Sequence, residues 1–204
     1  MEYDILINPQ MSFGTGHHET TNLIVSRLLE TELKGKSVLD MGCGTSILAI
    51  LAAKRGASPI TAIDIDDWCV SNSADNINLN GIDCITVRLG DADFLRNECP
   101  TFDLIIANIN RNILTADMDA YAGCMKSGSH IFLSGFYVDD IPAIPAVSPL
   151  NDFRWLGQVA RPYLVFSQKD DALLILDQHA MHERISYEKF RKGGSRGMAQ
   201  PLLV

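Results

Sequence analysis

The stretch from Ser37 to Asp64 constrains this chain more than any other. Val38-Leu39-Asp40 is a short apolar run that ends in an acid, and Met41-Gly42-Cys43-Gly44 follows it as a glycine turn. Ile47 to Arg55 is apolar and alanine-rich, the composition of a buried helix, and Gly56 closes it. Ile60-Thr61-Ala62-Ile63-Asp64 is a second run ending in an acid. Strand, turn, helix and strand in that order form a unit whose strands are parallel and whose crossover is right-handed. Bare backbone at 42 and 44 lets a ligand approach closely at the carboxyl ends of those strands.

The same alternation continues. Upstream, Leu23, Ile24, Leu28 and Leu29 lie near one helical face, with Gly35 as the stop. Downstream, a helix from about Asp67 stops at Asn80-Gly81. Further strands are predicted over Cys84 to Leu89, Asp103 to Ala107 and His130 to Leu133. Leu114, Met118, Tyr121 and Met125 mark a helical face between the last two. The pattern predicts an α/β fold: a Rossmann-like parallel sheet with both faces covered. It breaks after Asp140, where Pro142, Pro145 and Pro149 interrupt any regular element. Trp155 to Ser167 and Leu173 to Leu176, joined through Lys169-Asp170-Asp171, then suggest a β-hairpin, and a helix is predicted from about Ala180 to Arg191. The expected organisation is a domain over 1–143, a proline-rich junction over 144–152 and a small segment over 153–204.

Charge and cysteine usage exclude several classes. The net charge is −8, unsuited to sequence-blind binding of nucleic acid. It is uneven: acids outnumber bases 19 to 9 over residues 1–150, and bases outnumber acids 8 to 6 beyond. Such asymmetry suggests two parts of different history. No apolar run approaches the roughly 18 residues that span a bilayer, so no membrane partner is expected. Met1-Glu2-Tyr3-Asp4 lacks the basic start of a secretory signal. Five scattered cysteines, never spaced C-x-x-C, predict reduced, buried thiols in a cytoplasmic protein.

The glycine turn and the spaced acid together point to a nucleoside. Asp64 falls 22 residues after Gly42, at the tip of the adjacent strand, where a carboxylate accepts from ribose hydroxyls. Asp40, Gly42 and Gly44 reach the same edge. A dinucleotide fingerprint wants a small residue three positions after its second glycine, and Ile47 stands there. No phosphate-cradling G-x-x-x-x-G-K-[ST] occurs. The phosphate-free nucleoside S-adenosylmethionine suits the site better. Asp91, after the third strand, is a candidate acceptor for the adenine amino group, with a solvated turn acid as the alternative. Asn108, ending the fourth strand, is a candidate catalytic residue that orients an amine through its side-chain oxygen, with a turn cap as the alternative. His17 and His18 are candidate bases or plain surface residues.

The sequence then becomes specific. Asn8-Pro9-Gln10-Met11-Ser12-Phe13-Gly14-Thr15-Gly16-His17-His18-Glu19-Thr20-Thr21, the run Val38 to Ile50, Asp64-Ile65-Asp66 and Ala107-Asn108-Ile109 resemble the PrmA family of ribosomal large-subunit protein methyltransferases over about residues 3–141. The resemblance implies a class I S-adenosylmethionine-dependent methyltransferase acting on amino groups of a ribosomal protein. It implies that Thr21, Gly42, Asp64 and Asn108 contact the cofactor. Measured against that family, an N-terminal substrate-recruiting domain and the last strands of the catalytic sheet are missing, so the sheet is expected to be truncated. An edge left open in this way exposes hydrogen-bonding backbone, which the tail strands are placed to cover.

Asp177-Gln178-His179-Ala180-Met181-His182-Glu183 to Glu188 is a second signal. On a helix, His179 and Glu183 would share a face, which fits either half of a transition-metal site or, as spacing alone favours, a solvated charged helix. The run matches the D-Q-H-A-x-x-E-x-x-x-x-E motif of the C-terminal domain of MutL mismatch-repair proteins, and residues 153–204 resemble that domain. The resemblance implies a homodimer formed through the tail. It also implies, as the alternative function, metal-dependent nicking of DNA, with manganese or zinc near Asp177, His179 and Glu183. The later cysteine- and histidine-containing metal motifs of that domain are missing.

Overall fold

A computed structural model describes residues 3–8, 19–134, 154–159, 163–167 and 173–177. In chain order the elements are α1 (Glu19–Glu30), β1 (Val38–Met41), α2 (Ile47–Lys54), β2 (Ile60–Asp64), α3 (Asp67–Leu79), β3 (Ile85–Leu89), α4 (Asp93–Glu98), β4 (Phe102–Asn108), α5 (Arg111–Gly123), β5 (Met125–Ser134), β6 (Arg154–Val159), β7 (Tyr163–Ser167) and β8 (Leu173–Asp177). They build one eight-stranded sheet in the order β3-β2-β1-β4-β5-β8-β7-β6. Strands β1 to β5 are parallel, and the order reverses between β1 and β4. That reversal opens a crevice at the carboxyl ends, where sheets of this kind bind ligands.

Alternation along each strand builds two cores. Leu39 and Met41 on β1, Ile105 and Ala107 on β4, and Ile131 and Leu133 on β5 pack with Leu95 of α4 and Leu114, Met118 and Tyr121 of α5. Val38, Leu104, Ile106 and Phe132 take the other face, against Ile24 and Leu28 of α1 and Leu48, Leu51 and Ala52 of α2. The period of two is what directs successive residues to opposite faces. Helix α2 buries Leu48 through Ala52 without a break, as its apolar composition predicts.

Several boundaries differ from the sequence expectation. Helix α1 ends at Glu30, and Gly35 instead takes φ +71 in the turn before β1. Strand β5 begins at Met125 rather than His130. There Lys126 donates to Asp103 Oδ2 and to Ser37 Oγ, both at 2.8 Å, which ties the start of β5 to β4 and to the residue before β1. The six-residue α4 was not foreseen. Val159 ends β6 and Tyr163 starts β7, so the run from Trp155 to Ser167 is two strands, with Pro162 unable to donate to a ladder.

The open edge beside β5 is filled. Strand β8 pairs with it in parallel, Ile131 with Leu174, Phe132 with Ile175 and Leu133 with Leu176. Strand β7 is antiparallel to both β8 and β6, so Tyr163–Ser167 and Leu173–Asp177 form the expected hairpin pairing. Among the described residues, no helix is long and apolar enough to cross a membrane. The proline-rich junction and the helix expected over 180–191 lie outside the described residues.

Candidate cofactor site at the carboxyl edge

The chain turns sharply after β1. Gly42 takes φ +72, and its N–H and that of Cys43 both donate to Ile63 O, at 2.8 and 3.1 Å. A Cβ on Gly42 would run into Cγ2 of Ile109, the residue after Asn108, so this position excludes a side chain on two counts. Gly44 then donates its N–H to Asp64 Oδ2 at 2.9 Å. Asp66 N–H donates to Asp64 Oδ1 at 3.1 Å. Each carboxylate oxygen keeps further lone-pair capacity, and an ionised carboxylate only accepts. A pair of ribose hydroxyls meets that requirement. The loop 42–46 carries no cationic side chain, and both Asp40 and Asp64 lie close to it. Such a site repels a diphosphate and suits a neutral or cationic nucleoside.

Asp40 faces a different task. It is buried, and its Oδ2 accepts the Ala49 N–H at 3.2 Å, in the first turn of α2. Ser46, at the N-cap, makes no side-chain cap bond, so Asp40 supplies one. Burial pushes its carboxyl up to about 7, the Ala49 N–H pulls it partly down, and Asp64 adds to the rise. Cys43 is buried between these acids and α3, and burial, aided by Asp40, pushes its thiol up to about 12. It is therefore a packed thiol and not a nucleophile. Cys124 is also buried, but Cys99 is exposed, contrary to the expectation of uniformly buried cysteines.

Asn108 and Ser134 are register partners at the ends of β4 and β5. Ser134 is fully buried, and its hydroxyl donates to Asn108 Oδ1 in a short hydrogen bond. The oxygen expected to orient an amine is thus fixed from behind and retains a second lone pair. The turn cap in this loop is Asn110, which accepts from Asn112 and Ile113 at the start of α5. Asp91 is exposed and accepts the Asp93 N–H at 2.9 Å, opening α4. Thr21 is buried in the first turns of α1.

Sequence reasoning missed the support behind the loop. Ser73 of α3 donates to Gly44 O at 2.7 Å, Ser46 donates to Ser73 Oγ at 2.9 Å, and Asn76 donates to Thr45 O at 3.1 Å. Ser73 and Asn76 are fully buried polar residues on a helix, a pattern no local motif announces. His17, His18, His179 and Glu183 lie outside the described residues, while Asp177 closes β8. Among the described residues, no three His, Cys, Asp or Glu gather as a metal site.

Known proteins match the chain in two separate stretches. The model of the family described as ribosomal protein L11 methyltransferase (PrmA) matches residues 2–148. A second model, the MutL C terminal dimerisation domain, matches residues 156–204. The ribosomal protein L11 methyltransferase of Phocaeicola vulgatus is 72% identical over 143 residues, covering 70% of this chain and 50% of that protein. That of Porphyromonas gingivalis is 61% identical over 141 residues, covering 69% and 48%. The chain thus spans about half the length of the curated relatives it matches. The crystal structure of a ribosomal protein L11 methylase from Lactobacillus delbrueckii subsp. bulgaricus superposes with a TM-score of 0.67 at 30% identity, covering 80% of this chain and 84% of that one. SMU.776, a putative methyltransferase complexed with SAH, shares the fold with a TM-score of 0.59 at 17% identity, covering 77% and 46%.

Proposed function

This chain belongs to the ribosomal protein L11 methyltransferase (PrmA) family, and on that premise we propose that it binds S-adenosylmethionine at the Gly42–Asp64 edge and methylates amino groups of ribosomal protein L11 in the cytoplasm. The observation that carries the reading is the Asp64 carboxylate, held on Gly44 N–H at the tip of β2 with acceptor capacity left for two ribose hydroxyls. Gly42 and Gly44 supply the bare backbone beside it, and Asp91 stands after β3 for the adenine amino group. Thr21 is the remaining cofactor contact in this reading, and Asp40 acts by holding the N-terminus of α2 against the loop.

The cofactor supplies an electrophilic methyl group when bound. The protein must align an amine with it and keep water out. Asn108 Oδ1, braced by Ser134, accepts an N–H of the amine and aims its lone pair. The amine must be neutral, against an ordinary lysine pKa of roughly 10.4, and desolvation in the crevice favours that form.

The test is direct. Titration calorimetry of the purified chain should give a dissociation constant on the order of micromolar for S-adenosylmethionine, about −8 kcal/mol. Label should then pass from the cofactor to recombinant ribosomal protein L11. A folded sample that gives no heat with either the cofactor or its demethylated product rejects the reading.

The match over 156–204 favours a second reading for the tail, self-association into a homodimer. It predicts sedimentation that depends on concentration, and a monomer at all concentrations removes it. Supercoiled plasmid left intact in manganese removes its extension to DNA nicking at Asp177, His179 and Glu183.

A further inference from the structure

Asn72 and Asn76 of α3 and Asn80, its C-cap, hold the beginning of the described chain. Asn80 accepts the Leu6 N–H at 3.0 Å and donates to Leu6 O at 2.7 Å, the two-point pairing of an amide with a backbone. Asn76 accepts the Asn8 N–H at 2.8 Å, and Asn72 donates to Asn8 O at 3.1 Å. Positions 72, 76 and 80 form one stripe along a helix, about 6 Å apart. Alternate residues of an extended chain repeat at roughly 6.7 Å. The near match lets a helix face act as the partner strand for residues 6 to 8.

The middle rung has a second attachment. Asn76, fully buried, uses its amide nitrogen on Thr45 O of the glycine loop while its oxygen holds Asn8. One side chain therefore joins the loop proposed to carry the cofactor to the residue that opens the stretch 8–21, on which the family resemblance rests. Ser73, one turn earlier on the same helix, fixes Gly44 O in parallel.

We infer that Asn76 is a positioning residue that couples occupancy of the glycine loop to the anchoring of residues 6–8 on the Asn72–Asn76–Asn80 ladder. Loop and segment settle together, so a ligand that fixes one tightens the other. The inference rests on the proposed cofactor site. Coupling of this kind is reciprocal: whatever the ligand adds to the segment, the segment adds to ligand binding.

Hydrogen exchange in the full chain, with and without saturating S-adenosylhomocysteine, tests it. The Leu6 and Asn8 amides should exchange about tenfold more slowly with the ligand. Asn80→Ala removes both bonds to Leu6 and the Asn80 bond to the Asn76 carbonyl at 2.8 Å, and none of the three touches the glycine loop. It should nevertheless weaken S-adenosylhomocysteine binding severalfold while the melting temperature stays near that of the parent. Asn76→Asp keeps the acceptor for Asn8 but loses the donor to Thr45, and it should abolish the ligand's effect on the Asn8 amide. Ligand heat with no change at Leu6 or Asn8, or an Asn80→Ala affinity equal to the parent's, overturns the coupling and leaves the cofactor reading intact. Absence of ligand heat in the parent overturns both.

Discussion

Gly44 donates its backbone N–H to the Asp64 carboxylate at 2.9 Å, so the turn after β1 and the tip of β2 form one unit. Two consequences follow for Asp64→Ala. The acceptor for the ribose hydroxyls disappears, and Gly44 loses its tether. A hydrogen bond to a charged group contributes roughly 1.5–3 kcal/mol. Affinity for S-adenosylhomocysteine should therefore fall by about 10- to 150-fold, with the protein still folded. Calorimetry reads this directly, and an affinity within twofold of the parent's would contradict the assignment.

The Asn108–Ser134 pair separates binding from chemistry. Asn108→Ala removes the oxygen proposed to aim the amine, and methyl transfer to ribosomal protein L11 should drop by about two orders of magnitude. Ser134→Ala leaves that oxygen in place but frees its rotamer, so the loss should be smaller, about tenfold. Single-turnover rates at saturating cofactor measure both. Equal losses in the two variants would show that Ser134 does more than brace Asn108.

Ser46 carries a conformational cost that Gly44, two residues earlier, does not. It adopts φ +59 at the N-cap of α2, in the left-handed region, while its hydroxyl donates to Ser73. A side chain in that region costs roughly 1–2 kcal/mol relative to glycine. Ser46→Ala keeps the strain and loses the hydrogen bond. Ser46→Gly loses the bond but relieves the strain. Chemical denaturation should therefore find the glycine variant more stable than the alanine variant by about 1 kcal/mol, and the reverse order would rule out this account.

These relationships mark where the sequence was readable. The apolar runs ending at Asp40, Asp64 and Asn108 were visible because a buried parallel strand needs continuous apolar residues and delivers its last residue to the ligand edge. The left-handed turn at Ser46 was not, because serine gives no warning of φ. Asn72 and Asn76 read as ordinary polar helix residues, and only the segment packed on them makes them interior. Their spacing of four was the available signal. The polar run Lys126 to Ser129 hid the first half of β5, which Asp103 of β4 and Ser37, the residue before β1, stabilise. Pairing of β5 with β8 joins positions over forty residues apart, and no local pattern encodes it.

Asp40 makes the sharpest statement about pH. Its carboxyl sits at about 7 in the folded protein against an ordinary value of 3.8, chiefly because burial penalises the charge. Between those values the folded state holds a proton that the unfolded state has released. Stability therefore falls as pH rises from about 4 to about 7, and the penalty is complete above 7. Asp40→Asn keeps an oxygen for the Ala49 N–H and cannot ionise. It should flatten this dependence and raise stability at pH 8 by up to about 4 kcal/mol. The same charge bears on the ligand. S-adenosylmethionine is cationic at sulfur and S-adenosylhomocysteine is not, so ionising Asp40 favours the former. The ratio of their affinities should rise between pH 6 and 8 in the parent and stay level in Asp40→Asn. A level ratio in the parent would mean that the carboxylate acts only on the N-terminus of α2 and is not felt by the cofactor.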